Sequence, residues 1–124
     1  MIIFDSYAWI EYFLGTDKGK IVESYFEKEK IITPSIVLVE LSCKAEKENW
    51  NFKEYLTFIK SKSQIIGMSE EIIIKCGKIY HYEKSRKKKF GIIDAIMLTI
   101  TRNLNSKILT GDRHFSDIKE AVMI

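Results

Sequence analysis

Short apolar runs, too brief for helices, alternate along this chain with segments whose apolar residues recur at three and four. That alternation constrains the fold more than any other feature of the sequence. Met1–Phe4, Ile31–Thr33, Gln64–Met68 and Ile108–Leu109 are the runs, and Ala121–Ile124 is a short fifth candidate. Met1–Phe4 shows no in-out alternation and reads as a strand buried on both faces, and the other runs read as strands as well. The intervening segments Ser6–Leu14, Lys18–Lys30, Thr33 to about Lys47, Asn51–Ser61, Ser69 to about Glu83, and Gly91–Leu104 read as helices. Gly15 stops the first, Thr33 followed by Pro34 marks the start of the third, and Ser69 is an N-cap for the fifth.

Strands linked through helices pair in parallel by crossover connections. The expected architecture is therefore a three-layer α/β/α sandwich with a mainly parallel sheet of four or five strands. A length of 124 residues suits one domain spanning 1–124. The 46% hydrophobic and 30% charged content, with one Pro and six Gly, excludes disordered and collagen-like classes. No repeat or linker interrupts the pattern. In sheets of this kind ligands gather at the carboxyl ends of the strands.

Several functional classes fall away at this stage. The longest stretch without a charged residue, Ile31–Val39, is about half of a membrane span, and the start lacks the basic region of a secretion signal. A cytoplasmic location is expected, with no membrane partner. Cys43 and Cys76 form no CxxC pair and read as two small buried residues in a reducing compartment. With only His81 and His114 beside them, a zinc site is not supported.

Four acids stand where a bland fold would not need them. Asp5 ends the first strand and Asp112 follows the fourth, in Ile108–Asp112. Glu40 lies within Ile36–Leu41, on the face of Ile36, Val37 and Cys43, and Asp94 is flanked by apolar residues in Ile92–Leu98. Each has an ordinary structural role open to it. Asp5 fits an N-cap, Asp94 favours a helix N-terminus and Asp112 suits a turn. Glu40 is hardest to explain that way, because an unpaired carboxylate among Val and Leu costs several kcal/mol unless it meets a lysine or takes up a proton.

If the four converge, they cannot all stay ionised without positive charge between them. Arg113 is the one base adjoining any of them. A hard divalent cation fits better, because all-oxygen ligands select Mg²⁺ or Mn²⁺ over zinc. Such a centre suits phosphodiester hydrolysis by activated water.

The segments Ile3–Phe13, Thr33–Leu41, Gly91–Leu98 and Leu109–Phe115 resemble, in order, the four signature segments of PIN-domain ribonucleases, and most of all the VapC toxins of toxin–antitoxin pairs. The resemblance spans Met1 to about Ile118. It implies a PIN-like fold in which Asp5, Glu40, Asp94 and Asp112 are catalytic and hold one or two Mg²⁺ or Mn²⁺ ions. It also implies water attack on RNA leaving a 5′-phosphate and a 3′-hydroxyl. Thr110 and Ser6 match the family's small hydroxyl positions, and Asp117 matches loosely as an outer ligand. Plain capping is equally open to Ser6 and Thr110. The partners implied are a VapB-like antitoxin and a second copy in a homodimer.

The formal charge of +3 is concentrated in Lys84, Arg86, Lys87, Lys88 and Lys89, between two helices. Together with Arg113 these are candidates for phosphate contacts to RNA, and a solvated loop is the competing role. Tyr7, Trp9, Tyr12, Phe13, Tyr25 and Phe26 crowd the first two helices; at helical spacing they cannot all face inward, which suggests an exposed partner patch beside core packing. Two other functions remain: a non-catalytic RNA- or protein-binding module on the same fold, and a nuclease that processes RNA without an antitoxin. A phosphatase is disfavoured, because Asp5–Tyr7 lacks a second Asp two residues on.

Overall fold

The computed structural model describes residues 1–124. Five strands, β1 (Ile2–Phe4), β2 (Ile31–Pro34), β3 (Gln64–Ile66), β4 (Lys107–Thr110) and β5 (Ala121–Met123), form one sheet in the order β3-β2-β1-β4-β5. All four pairings are parallel, with Ile3 opposite both Ile32 and Ile108. Ile2, Ile3, Phe4, Ile31, Ile32, Ile108 and Leu109 are at most 2% exposed, as strands covered on both faces must be.

Six helices cover the sheet: α1 (Ser6–Leu14), α2 (Asp17–Ser24), α3 (Ser35–Glu48), α4 (Phe52–Lys62), α5 (Glu70–Arg86) and α6 (Ile92–Asn103). The chain steps from β1 outward to β2 and β3, then returns past β1 to β4 and β5. Right-handed crossovers put the helices of these two excursions on opposite faces. The helix contacts agree, since α1 packs on α2 and α3, α3 on α4, and α5 on α6. The result is the α/β/α sandwich expected, with its strand order reversing between β1 and β4.

Local signals that need only their own segment behave as expected. Gly15 closes α1 at φ +67°, where its lack of a Cβ removes the strain, and its N–H bonds back into the helix. The Ser69 hydroxyl accepts the Ile72 N–H and starts α5.

Other boundaries move for tertiary reasons. The second helix stops at Ser24 instead of continuing to Lys30, and Tyr25 and Phe26 pack from turns into an aromatic cluster. Phe4, Trp9, Tyr12, Phe13, Phe26 and Phe58 form that cluster, with ring centroids 5.0–6.4 Å apart. Trp9 is fully buried and the other rings of the first helices are half-buried, so most of this aromatic content is core. Thr33 does not cap α3. It lies in β2, where its Oγ1 accepts the buried Trp9 Nε1–H at 3.1 Å and donates to Ser63 Oγ at 2.9 Å. Pro34 also stays extended, opposite Ile66, and α3 begins at Ser35. Cys43 is exposed and Cys76 half-buried, which corrects the reading of both as buried.

α5 reaches Arg86, three residues beyond the expected end, so Lys84 and Arg86 are helical and only Lys87–Lys89 begin the connection. No helix is long and apolar enough to cross a membrane.

Candidate active site

The point where strand order reverses is a crevice between the carboxyl ends of β1 and β4, the position at which parallel sheets bind ligands. Asp5 follows β1 and Asp112 follows β4, so the topology alone sets these two acids on either side of it.

Asp5 is extended (φ −88°, ψ −179°), and its Oδ1 accepts the Ala8 N–H at 2.9 Å. It therefore caps α1, yet it is only 8% exposed and has other acids around it. Burial pushes its carboxyl up to about 7. The Thr110 hydroxyl and Ala8 N–H pull against that rise, while the carboxylates of Asp112 and Glu40 add to it. An N-cap beside a helix N-terminus should be easily ionised; here burial and like charge outweigh that preference.

Glu40 is half-buried on α3 and meets no lysine or arginine. Its carboxyl is raised, first by burial and then by Asp94 and Asp112, with the Ser6 hydroxyl opposing through a hydrogen bond. Asp94 stands in the first turn of α6, where its Oδ2 accepts the Gly91 N–H at 2.8 Å. Asp112 Oδ1 accepts the His114 backbone N–H at 2.9 Å, and the Asp112 N–H donates to Thr110 Oγ1 at 3.0 Å. Asp5 thus feels Asp112 and Glu40, Glu40 feels Asp94 and Asp112, and the Ser6 and Thr110 hydroxyls favour the ionised forms of Glu40 and Asp5.

The turn that delivers Asp112 depends on Gly111. A Cβ there would lie 2.1 Å from Tyr7 Cε1, so only glycine lets the ring pack against the loop. The Tyr7 hydroxyl in turn accepts from Lys18 Nζ at 2.9 Å.

His114 was not among the predicted site residues, yet it stands inside the cluster. Its Nδ1 is 2.8 Å from Asp94 Oδ2 and 3.4 Å from Asp112 Oδ1. Ligand atoms of Asp94, Asp112 and His114 all lie within 4.8 Å of one another, a spacing that fits one metal ion. The sequence signal was present, since His114 follows Asp112 by two residues, but its partner Asp94 is twenty positions away. Considered only as a zinc ligand, it had no role.

Asp117 does not join the acids. Lys87 Nζ and Arg86 Nη2 bind its carboxylate at 2.8 and 3.3 Å, and Lys87 holds it below the ordinary range. Its carboxylate is paired with bases, so the structure gives no contact that supports the loose match to an outer ligand. Lys87 also bonds the buried Glu83 at 3.0 Å and the His114 carbonyl at 3.1 Å, which uses all three of its donors. Lys84 donates to the Lys88 carbonyl, and Arg86 is shared between Glu83 and Asp117. Lys88, Lys89 and Arg113 are exposed and make no ion pair.

The buried, mutually repelling carboxylates fit a divalent cation. Their donors are hard oxygens, and no lysine or arginine forms an ion pair with Asp5, Glu40, Asp94 or Asp112.

Solved structures with the same fold include a toxin–antitoxin complex from Klebsiella pneumoniae, at 19% identity and TM-score 0.81, covering 99% of this chain and 97% of that one. VapBC2 from Rickettsia felis bound to a DNA fragment from their promoter gives 20% identity and 0.76, covering 100% and 98%. VapC20 from Mycobacterium tuberculosis, described as a sarcin–ricin loop cleaving toxin, gives 11% and 0.74, covering 96% and 95%. At these identities the likeness is one of fold. No curated protein matches the sequence. The PIN domain family model matches residues 2–121, and the chain belongs to that family.

Proposed function

We propose that this chain is a Mg²⁺- or Mn²⁺-dependent endoribonuclease and the toxin of a VapBC-type pair. The observation that carries the reading is the convergence of Asp5, Glu40, Asp94 and Asp112 at the strand-order reversal, with Asp5 raised to about 7 by burial and by its acidic neighbours. These four carboxylates would hold one or two ions. When bound, the ion lowers the pKa of a coordinated water and offsets charge growing on the phosphoryl oxygens.

The chain's own residues supply position. Asp5 is held by Ala8 N–H and Asp94 by Gly91 N–H, so helix N-termini orient two of the ligands. The Ser6 and Thr110 hydroxyls favour the ionised forms of Glu40 and Asp5. Lys88, Lys89 and Arg113 are free to contact phosphates and align an RNA strand without reading its bases. The product would carry a 5′-phosphate.

The Klebsiella and Rickettsia neighbours are toxin–antitoxin complexes and the mycobacterial one is described as an RNA-cleaving toxin. They support an antitoxin partner and an RNA substrate for this chain; a homodimer and a cytoplasmic location complete the proposal.

The test is cleavage of structured and unstructured RNA with Mn²⁺, with EDTA, and with Asp94→Asn. Loss of cleavage in both controls supports the reading, and cleavage persisting in either refutes it. RNA binding that survives EDTA in a protein that never cleaves would favour the binding-module alternative.

A further inference from the structure

Resting on the metal-site reading above, we propose that His114 is a positioning residue whose ring N–H ties Asp94 to Asp112 and sets the separation of these two ligands. Asp94 comes from the first turn of α6 and Asp112 from the loop after β4, and no backbone hydrogen bond joins the two segments. Two like charges on unconnected segments separate unless something spans them. The only side chain that reaches both is His114, with Nδ1 at 2.8 Å from Asp94 Oδ2 and 3.4 Å from Asp112 Oδ1.

The arrangement assigns the role. Asp94 Oδ2 already accepts the Gly91 N–H, and a carboxylate oxygen in that position accepts again from Nδ1, so the ring proton sits on Nδ1. Nδ1, bearing that proton, is not itself a metal-binding atom, and the groups it reaches are the two carboxylates. Through Nδ1, His114 acts on the carboxylates, as outer-shell donors do when they orient ligating groups.

Its own backbone is fixed on both sides: its N–H donates to Asp112 Oδ1 and its carbonyl accepts from Lys87. One oxygen of three of the four carboxylates is committed to a protein donor, Asp5 Oδ1 to Ala8, Asp94 Oδ2 to Gly91 and His114, Asp112 Oδ1 to the His114 N–H.

The test compares Mn²⁺ binding by calorimetry to the wild type, His114→Ala and His114→Asn, with urea midpoints confirming that all are folded. An Asn amide nitrogen stands near the place of Nδ1 and can donate in its stead. His114→Ala should weaken Mn²⁺ binding about 10- to 100-fold, and His114→Asn should recover most of the loss. Pulsed electron paramagnetic resonance of the Mn²⁺ complex should show no directly bound imidazole nitrogen. In metal-free protein, nitrogen-15 NMR should show a slowly exchanging His114 Nδ1–H that is lost in Asp94→Asn. Wild-type affinity in His114→Ala, equal losses in both variants, a bound nitrogen signal, or no protected Nδ1–H would each overturn the positioning role alone. Absence of Mn²⁺ binding by the wild type would overturn the metal-site reading as well.

Discussion

The Lys87 ammonium lies 2.8 Å from Asp117 Oδ1, thirty residues along the chain, and 3.0 Å from Glu83 Oε1 one helical turn back. Glu83 is 1% exposed, so this lysine neutralises a buried charge and ties the end of α5 to the loop that carries His114. The basic run is therefore two groups: paired residues that hold structure, and the unpaired Lys88 and Lys89.

Lys87→Gln should destabilise the protein by about 2 kcal/mol or more, because Arg86 alone, at 3.4 Å, is left for the buried Glu83. Lys88→Gln with Lys89→Gln should leave stability unchanged and reduce the slope of log affinity for single-stranded RNA against log salt by about 1.4, roughly 0.7 per phosphate contact. Binding is measured in an Asp94→Asn background to prevent cleavage. An unaltered slope removes these two lysines from the RNA surface.

Asp5 predicts a pH dependence of the metal-free protein. Its carboxyl rises from an ordinary 3.8 to about 7 on folding, so the folded chain keeps a proton that the unfolded chain has released. The stability this provides is complete below about pH 3.8 and is lost as pH rises toward and through 7. The slope from this one group is at most about 1.4 kcal/mol per pH unit. Asp5→Asn should remove that slope and leave the metal-free protein more stable than wild type at pH 8 in EDTA. Denaturant midpoints at pH 5 and 8 measure it, and parallel curves for the two proteins would contradict the burial and like-charge account. Mn²⁺ should stabilise the wild type more at pH 8 than at pH 5, because the ligand must be deprotonated.

Gly111→Ala should act on the site more than on the fold. The new methyl meets the Tyr7 ring at 2.1 Å, and either the ring or the Asp112 loop must shift. Mn²⁺ affinity and cleavage should fall about tenfold or more, in the range of losses seen when the support of a metal ligand is disturbed. Adding Tyr7→Ala should restore part of both. If the double variant is no better than the single, the contact is not what aims Asp112.

Much of the site could be read without coordinates because acids in apolar company are expensive wherever they occur. Glu40 among Val and Leu, and Asp94 between Ile93 and Ala95, needed an explanation before any contact was known. Asp5 and Asp112 were legible from topology, since both end parallel strands. What stayed hidden depended on partners remote in sequence. His114 gains its place from Asp94, twenty residues earlier, and Asp117 is paired with Lys87, thirty residues earlier. Tyr25 and Phe26 have helical spacing, yet they satisfy the aromatic core from turns, where packing overrides local propensity.

Thr33 carries the same lesson into energetics. Thr followed by Pro is a strong local sign of a helix start, but the Trp9 indole N–H is buried at 0% exposure and needs an acceptor. Keeping Thr33 in β2 supplies one, and Ser63 at the C-terminal end of α4 receives the hydroxyl proton. Thr33→Val preserves shape and strand propensity while deleting both hydrogen bonds, so it should cost about 1–3 kcal/mol from the orphaned indole donor. If Thr33 instead mattered as a helix cap, Thr33→Ser would keep full stability and Thr33→Val would shorten α3. The strand role predicts an unchanged helix content by circular dichroism and a lowered urea midpoint for Thr33→Val. It also predicts loss of the downfield-shifted Trp9 indole proton by NMR.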